Sequence, residues 1–204
     1  MKKNITCPCG RGFSVMAEEA IDLDVSPEYI GKITNGSFMS FTCPGCGKTH
    51  KPEFPVRLLW PSQKITLEVL PELDRGEFYR RKTDEPGVET VIGYPELVDR
   101  VAVILDGLEP VAIETLKYYL LLKAEENYPE QEIRIWYQKK NAGGIEFHLH
   151  GIKAGEVAIM RVPIGVYEKT LADFREQPRA EVFTSLRTRS YLSVQNMLRP
   201  EAMK

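Results

Sequence analysis

Four cysteines are the residues of this chain best suited to chemistry, and they come as two pairs. One is Cys7-Pro8-Cys9-Gly10 and the other is Cys43-Pro44-Gly45-Cys46-Gly47. The chain has no other cysteine. Two thiolates on one tight turn can chelate a single ion. Proline after the first cysteine fixes φ. Glycine after the last lets the backbone turn so that amide N–H groups face the sulfurs and stabilise their negative charge. Two such turns complete a tetrahedral four-sulfur shell, with Zn–S near 2.3 Å. We therefore expect Cys7, Cys9, Cys43 and Cys46 to hold one Zn²⁺ as a structural site. A redox or disulfide role is set below this, because neither pair opens a thioredoxin-like helix. A catalytic metal is set lower still, because four sulfurs leave no open position. The first pair has one intervening residue and a tighter bite than the second. If that turn bound through one sulfur only, His50 would be the replacement ligand. A surface or strand histidine is the preferred reading of His50, since four cysteines already fill the shell.

The rest of the composition sets limits on function. The chain has 204 residues, 43% apolar and 27% charged, enough for one large or two small cores. A net charge of −2 gives no basic excess of the kind nucleic-acid binders carry. Met1-Lys2-Lys3-Asn4 has charge but no apolar run behind it, so no secretory signal is expected. No apolar run is long enough to span a bilayer. Cytoplasmic residence is the resulting expectation, and in a reducing cytosol paired cysteines are read as metal ligands.

The elements that must position the cysteines are short. A β-like lead-in reaches Cys7, and Phe13, Val15, Ile21, Leu23 and Val25 read as extended. Ser26-Pro27-Glu28 predicts a helix with a hydroxyl N-cap, ended at Asn35-Gly36. Phe38 and Phe41 are assigned to a strand delivering the chain to Cys43. Strands are expected at Phe54 to Trp60 and around Ile65, Leu67 and Val69, ending at Pro71. Phe78-Tyr79 and Val88 to Ile92 flank a turn or loop at Thr83 to Gly87. Beyond this the period changes. Pro95 opens a helix with Leu97, Val101, Leu105 and Leu108 on one face, and Pro110 opens a second, with Ile113, Leu116, Leu120 and Ala124. The short link between them suggests an antiparallel pair. Alternation then predicts a hairpin about Asn141-Ala142-Gly143-Gly144 and a third strand, Val157 to Val162. A helix follows Pro163, and a last helix is expected from about Thr188 to Leu198. The fold class is α+β. It comprises a small zinc-ribbon-like, β-rich N-terminal domain (1–75), a connecting hairpin or linker (76–94) and a C-terminal α+β domain (95–204) of order ααβββα with a final helix.

The stretches Ile5-Thr6-Cys7-Pro8-Cys9-Gly10, Pro27-Glu28, Ile33-Thr34-Asn35-Gly36 and Phe41-Thr42-Cys43-Pro44-Gly45-Cys46-Gly47 resemble the CpXC domain family of bacteria and archaea. That family is named for two Cys-Pro-x-Cys motifs. The motif spacing, the intervening helix and the strand ending at Pro71 all match it. One departure is that the first motif here lacks the residue between proline and the second cysteine. The family has no established activity, so the resemblance implies zinc binding and little else.

Other constellations are weaker. Glu146, His148 and His150 fall on one face of a predicted strand, where two histidines can bind a metal or trade protons. A polar, solvated sheet face is the preferred reading, with Glu156 as a candidate cross-strand partner. Arg80-Arg81-Lys82 and Arg175, Arg179, Arg187 and Arg189 are local basic features, read as solvated surface. Tyr118, Tyr119 and Trp136 are read as core or interface aromatics. Phosphate loops and nucleophile elbows are absent. The leading expectation is a non-enzymatic, structural zinc-binding protein that serves as an interaction module for a protein partner. A nucleic-acid-binding ribbon and an enzyme using His148 and His150 are the alternatives.

Overall fold

The hydrophobic alternation on either side of each cysteine pair produces a hairpin. In the computed structural model, which describes residues 1–198, β1 (Lys2–Thr6) pairs antiparallel with β2 (Gly12–Met16), with Thr6 opposite Gly12 at the closed end. The second pair is framed in the same way, by β4 (Phe41–Thr42) and β5 (Thr49–His50). Each knuckle is therefore the tip of a small antiparallel ribbon. The fold is α+β, with 36% helix and 29% strand among the described residues, and its N-terminal part is ribbon-like.

Between the two ribbons lie β3 (Ala20–Asp22) and α1 (Glu28–Thr34). Ile33 of α1 is fully buried, and Asn35-Gly36 ends the helix with Gly36 at φ +71°. Three details differ from the sequence expectation. Pro27 itself occupies the cap position and no side chain caps the helix, because Pro27 is already helical. Asp22 organises this entry instead, its carboxylate accepting from the N–H groups of Asp24 and Val25. That turn leaves Val25 exposed, while Ile21 and Leu23 are buried. Phe38 lies in a turn, not a strand. It is buried there by edge-on contacts with Tyr29 and Tyr94.

The chain divides into two compact units, 1–98 and 99–204. In the first, β6 (Val56–Trp60) and β7 (Ile65–Leu70) form an antiparallel pair, β3 joins parallel to β6, and β8 (Glu89–Ile92) joins parallel to β7. Val56, Leu58, Trp60, Leu67, Val69 and Val91 supply the buried face. Parallel strands cannot be joined by a tight turn. The connection from β7 to β8 is accordingly a crossover through a 3₁₀ turn and α2 (Arg75–Arg80). Phe78 and Tyr79 thus sit on a helix, not on a strand flanking a hairpin. Phe78 is fully buried, and Tyr79 packs edge-on against it. Residues 76–94, expected as a connector, contain all of α2 but its first residue, β8 and the first residue of α3. The division between units falls inside α3 (Tyr94–Leu105). On that helix Leu97 and Val101 are buried, but Leu105 is exposed and Ile104 takes the inward position.

The second unit is built on α4 (Pro110–Asn127), whose residues from Val111 to Lys117 are all buried. It packs against the sheet of β9 (Arg134–Asn141), β10 (Gly144–His150) and β11 (Val157–Val162), which runs in the order β11-β10-β9 with antiparallel pairings. Ala142-Gly143 makes the predicted turn, with the Asn141 side chain accepting from the Gly143 N–H at 2.9 Å. Tyr167 and Thr170 of α5 (Ile164–Glu176) are buried. Next come α6 (Glu181–Ser185), the two-residue strands β12 (Arg187–Thr188) and β13 (Tyr191–Leu192), and α7 (Gln195–Leu198). The single helix expected from Thr188 to Leu198 is instead this hairpin and one helical turn. Arg189, at φ +55°, makes the reversal that a helix could not contain.

A buried charge cluster ties the second unit together. Lys117 Nζ lies 2.5 Å from Asp99 and 2.8 Å from Glu114. Asp99 also accepts from the Tyr137 N–H, and Glu114 from the Val194 N–H. Burial alone would strip the proton from Lys117, but the two carboxylates hold its pKa above the ordinary lysine value.

Candidate metal centre

The two ribbons deliver their tips to one point. The four sulfurs of Cys7, Cys9, Cys43 and Cys46 all lie within 4.8 Å of one another. Cys7 Sγ is 3.5 Å from Cys46 Sγ, and Cys9 Sγ is 3.8 Å from Cys43 Sγ, so each short approach joins one knuckle to the other. All four are free thiols in the structure. Among the described residues they are the one group of three or more Cys, His, Asp or Glu side chains placed to hold a metal ion.

The turns show how the first knuckle does without a residue. In the second, the Cys43 carbonyl accepts from the Gly47 N–H at 2.9 Å, and the Cys43 N–H donates to the Lys48 carbonyl. In the first, the Cys7 carbonyl accepts from the Gly10 N–H at 2.8 Å, and the Cys7 N–H donates to the Arg11 carbonyl. The pattern is the same, closed one residue earlier. Both closing glycines need positive φ, +89° at Gly10 and +72° at Gly47. The shortening is absorbed inside the turn, and Cys9 still reaches the cluster.

The four positions are not equivalent. Cys7 and Cys43 are buried, and Cys9 and Cys46 are exposed. Burial raises the Cys43 thiol pKa, but the Gly45 and Cys46 backbone N–H groups and the neighbouring thiols bring it down to about 7. The Cys9 N–H pulls the Cys7 pKa down, yet desolvation and the hydrogen bonds with the other thiols push it up to about 12. The protein alone favours negative charge at one sulfur and resists it at its neighbour. A bound divalent cation would ease that conflict by offsetting half of the charge of four thiolates.

His50 lies closer to this centre than a surface strand histidine would. Its Nε2 is 3.2 Å from Cys7 Sγ. It is not a member of the compact four-sulfur group.

The other candidates are not gathered into a site. Glu146 is buried on the open side of β10 and pairs with Arg161 at 3.1 Å, with His148 at 3.3 Å and with Lys139 at 3.8 Å. Its pKa is lowered, chiefly by the Arg161 hydrogen bond acting against burial. His150 is exposed, and Glu156 pairs with Lys153. The first unit has a cavity of about 310 Å³ lined by Ile33, Phe38, Lys51, Glu53, Tyr94 and Leu97, and the second has one of about 690 Å³. Neither His148 nor His150 lines either cavity. Glu53 in the first is engaged, accepting the backbone N–H groups of Glu72 and Tyr94. Of the basic residues, Arg81 pairs with Glu68 and Arg175 lies in the last turn of α5. Tyr119 is exposed, with its ring 5.4 Å from that of Tyr118. No helix among the described residues is long and apolar enough to cross a membrane.

Two paired-cysteine knuckles on short ribbons, with four sulfurs facing one point, make a module that could hold a metal ion. The chain belongs to the CpXC family, whose model, described as CpXC protein, matches residues 5–117. That match runs past the first unit and into α4. The chain is also 30% identical over 218 residues to a protein of Treponema pallidum (strain Nichols) described as an uncharacterized protein, spanning 95% of this chain and 97% of that one. No solved structure matches the chain.

Proposed function

We propose that the protein is a cytoplasmic, non-enzymatic zinc protein, with Cys7, Cys9, Cys43 and Cys46 as the ligands of a single structural Zn²⁺. The observation that carries this is the sulfur spacing. A tetrahedral shell with Zn–S of about 2.3 Å has S···S edges of about 3.8 Å. The two short cross-knuckle distances are 3.5 and 3.8 Å, against about 2.05 Å for a disulfide. Four thiolates fill the shell and leave no position for substrate, so the ion's contribution is to folding. The ribbons that carry the sulfurs are short and bury little of their own, which is where a metal adds most.

The second unit is the interaction module in this reading, and its partner is a protein. The outward side of its sheet supports that role. Trp136, His148 and Ile159 lie side by side in register across β9, β10 and β11, and Val157 and Ile159 are exposed.

The test is elemental analysis of the purified chain followed by chelation. The expected result is one zinc per chain and a lower melting temperature once it is removed. A chain free of zinc, or one whose melting is unchanged by chelation, would sink the reading.

A further inference from the structure

We propose that His50 is the hydrogen-bond donor to the Cys7 sulfur in the metal-loaded protein, and that this bond governs how tightly the centre holds its ion. The inference rests on the zinc reading above and assigns a role to a residue outside the ligand set.

The placement is built into the second ribbon. His50 lies opposite Phe41 in the β4–β5 pair, just beyond the knuckle that carries Cys43 and Cys46. The same short hairpin that presents those two sulfurs therefore aims His50 at Cys7, on the other knuckle. Nε2 reaches Cys7 Sγ at 3.2 Å, and the ring is flanked by Phe13 with centroids 6.1 Å apart. His50 links the two ribbons as the metal itself would.

The choice between ligand and donor follows from position. The four sulfurs form a compact group that does not include His50. A metal-bound thiolate carries no proton and can only accept. The proton of this contact must then sit on Nε2, and that N–H points at sulfur.

Burial explains why the bond matters. Cys7 is 2% exposed and Cys43 is 1% exposed, so water cannot solvate either sulfur. Cys43 receives the Gly45 N–H at 3.4 Å. Cys7 receives His50 as its side-chain N–H donor, beside the Cys9 backbone N–H. Cys9 and Cys46 are exposed and water reaches them. The protein thus supplies a donor to each sulfur that solvent cannot reach. Removing the His50 N–H leaves negative charge on a buried sulfur with less compensation. Losing an outer-shell partner of this kind weakens metal affinity by about 10–100-fold.

The experiment uses the full chain, native and with His50→Phe or His50→Gln, in zinc competition against a chromophoric chelator. His50→Phe keeps a ring against Phe13 and removes the N–H. His50→Gln restores an N–H donor. We expect His50→Phe to release zinc about 10–100-fold more readily and His50→Gln to recover part of the loss. Cobalt substitution should give the same four-thiolate charge-transfer spectrum in native and His50→Phe proteins. A changed ligand field would make His50 a ligand and overturn the proposal. So would a His50→Phe chain that holds zinc as tightly as the native one, or a metal-free melting temperature that falls in step with affinity, which would mark a packing role. A native chain that takes up no zinc overturns the metal reading and this inference with it. Native binding with an unaffected variant overturns the inference alone.

Discussion

Gly47 shows how much of the centre depends on single backbone angles. It closes the second knuckle at φ +72°, and a Cβ added there would meet no atom within 4 Å. Any penalty for Gly47→Ala is therefore conformational and not steric. Forcing an L-residue into this region costs about 1–2 kcal/mol. On the proposed zinc reading, we expect the variant to bind zinc more weakly than the native chain and to melt at a lower temperature in calorimetry. Glu146 offers a second test at this scale. Arg161, followed by His148 and Lys139, holds its carboxyl below the usual glutamate value. A lowered pKa means that the folded state binds the proton less tightly than the unfolded chain does. The stabilisation is then fully present above the unfolded glutamate value and is lost as pH falls through the lowered folded one. Glu146→Gln should thus reduce the melting temperature at neutral pH, and native and variant should converge as the pH is taken below the ordinary carboxylate range. A gap that stayed constant with pH would show that the charge is not what stabilises the site.

Among the elements, the second unit depends on a buried salt cluster that joins separate segments. Lys117 on α4 is held by Asp99 on α3 and by Glu114 one turn away, and the carboxylates reach on to β9 and to Val194. Such clusters are weak sources of net stability, but removing one partner strands the others. Lys117→Met leaves two carboxylates in the core and should cost about 3–5 kcal/mol in urea denaturation. Adding Asp99→Asn to Lys117→Met should return part of that loss. This cluster was not visible as a periodic signal, because Val111 to Lys117 are buried all the way round the helix and the polar members look like an exposed stripe. Local sequence suggests the wrong element type at two places for similar reasons. Phe78-Tyr79 has strand-like residues, yet the parallel pairing of β7 with β8 requires a crossover, and the helix that supplies it takes them in. Tyr191, Val194 and Leu198 are spaced like one helix face, but the reversal at Arg189 turns Tyr191 back onto a strand, and helix begins only at Gln195. The first cysteine ribbon, α1, β7 and the β9–β10 hairpin are legible because local turn chemistry determines them.

At the scale of the whole molecule, the centre predicts where metal removal acts. The chain has two tryptophans, Trp60 in the first unit and Trp136 in the second. The four clustered cysteines all belong to the first. Chelation should lower the denaturation midpoint reported by Trp60 more than that reported by Trp136, measured by fluorescence in Trp60-only and Trp136-only variants. Equal shifts would mean that the ion's contribution is not confined to the unit that holds it. The candidate ligand types were legible in the sequence alone. Four cysteines in proline- and glycine-bearing turns, with none left over, point to a module able to hold a metal ion, because the chelating geometry is contained within each turn. The relation between the turns needed the tertiary structure. Only there do the shortened first knuckle and the longer second one bring their sulfurs to one point. Only there do Cys7 and Cys43 become the buried pair, and His50 the neighbour of Cys7 instead of a strand histidine. Those facts depend on contacts between residues far apart in the chain, which no local pattern encodes.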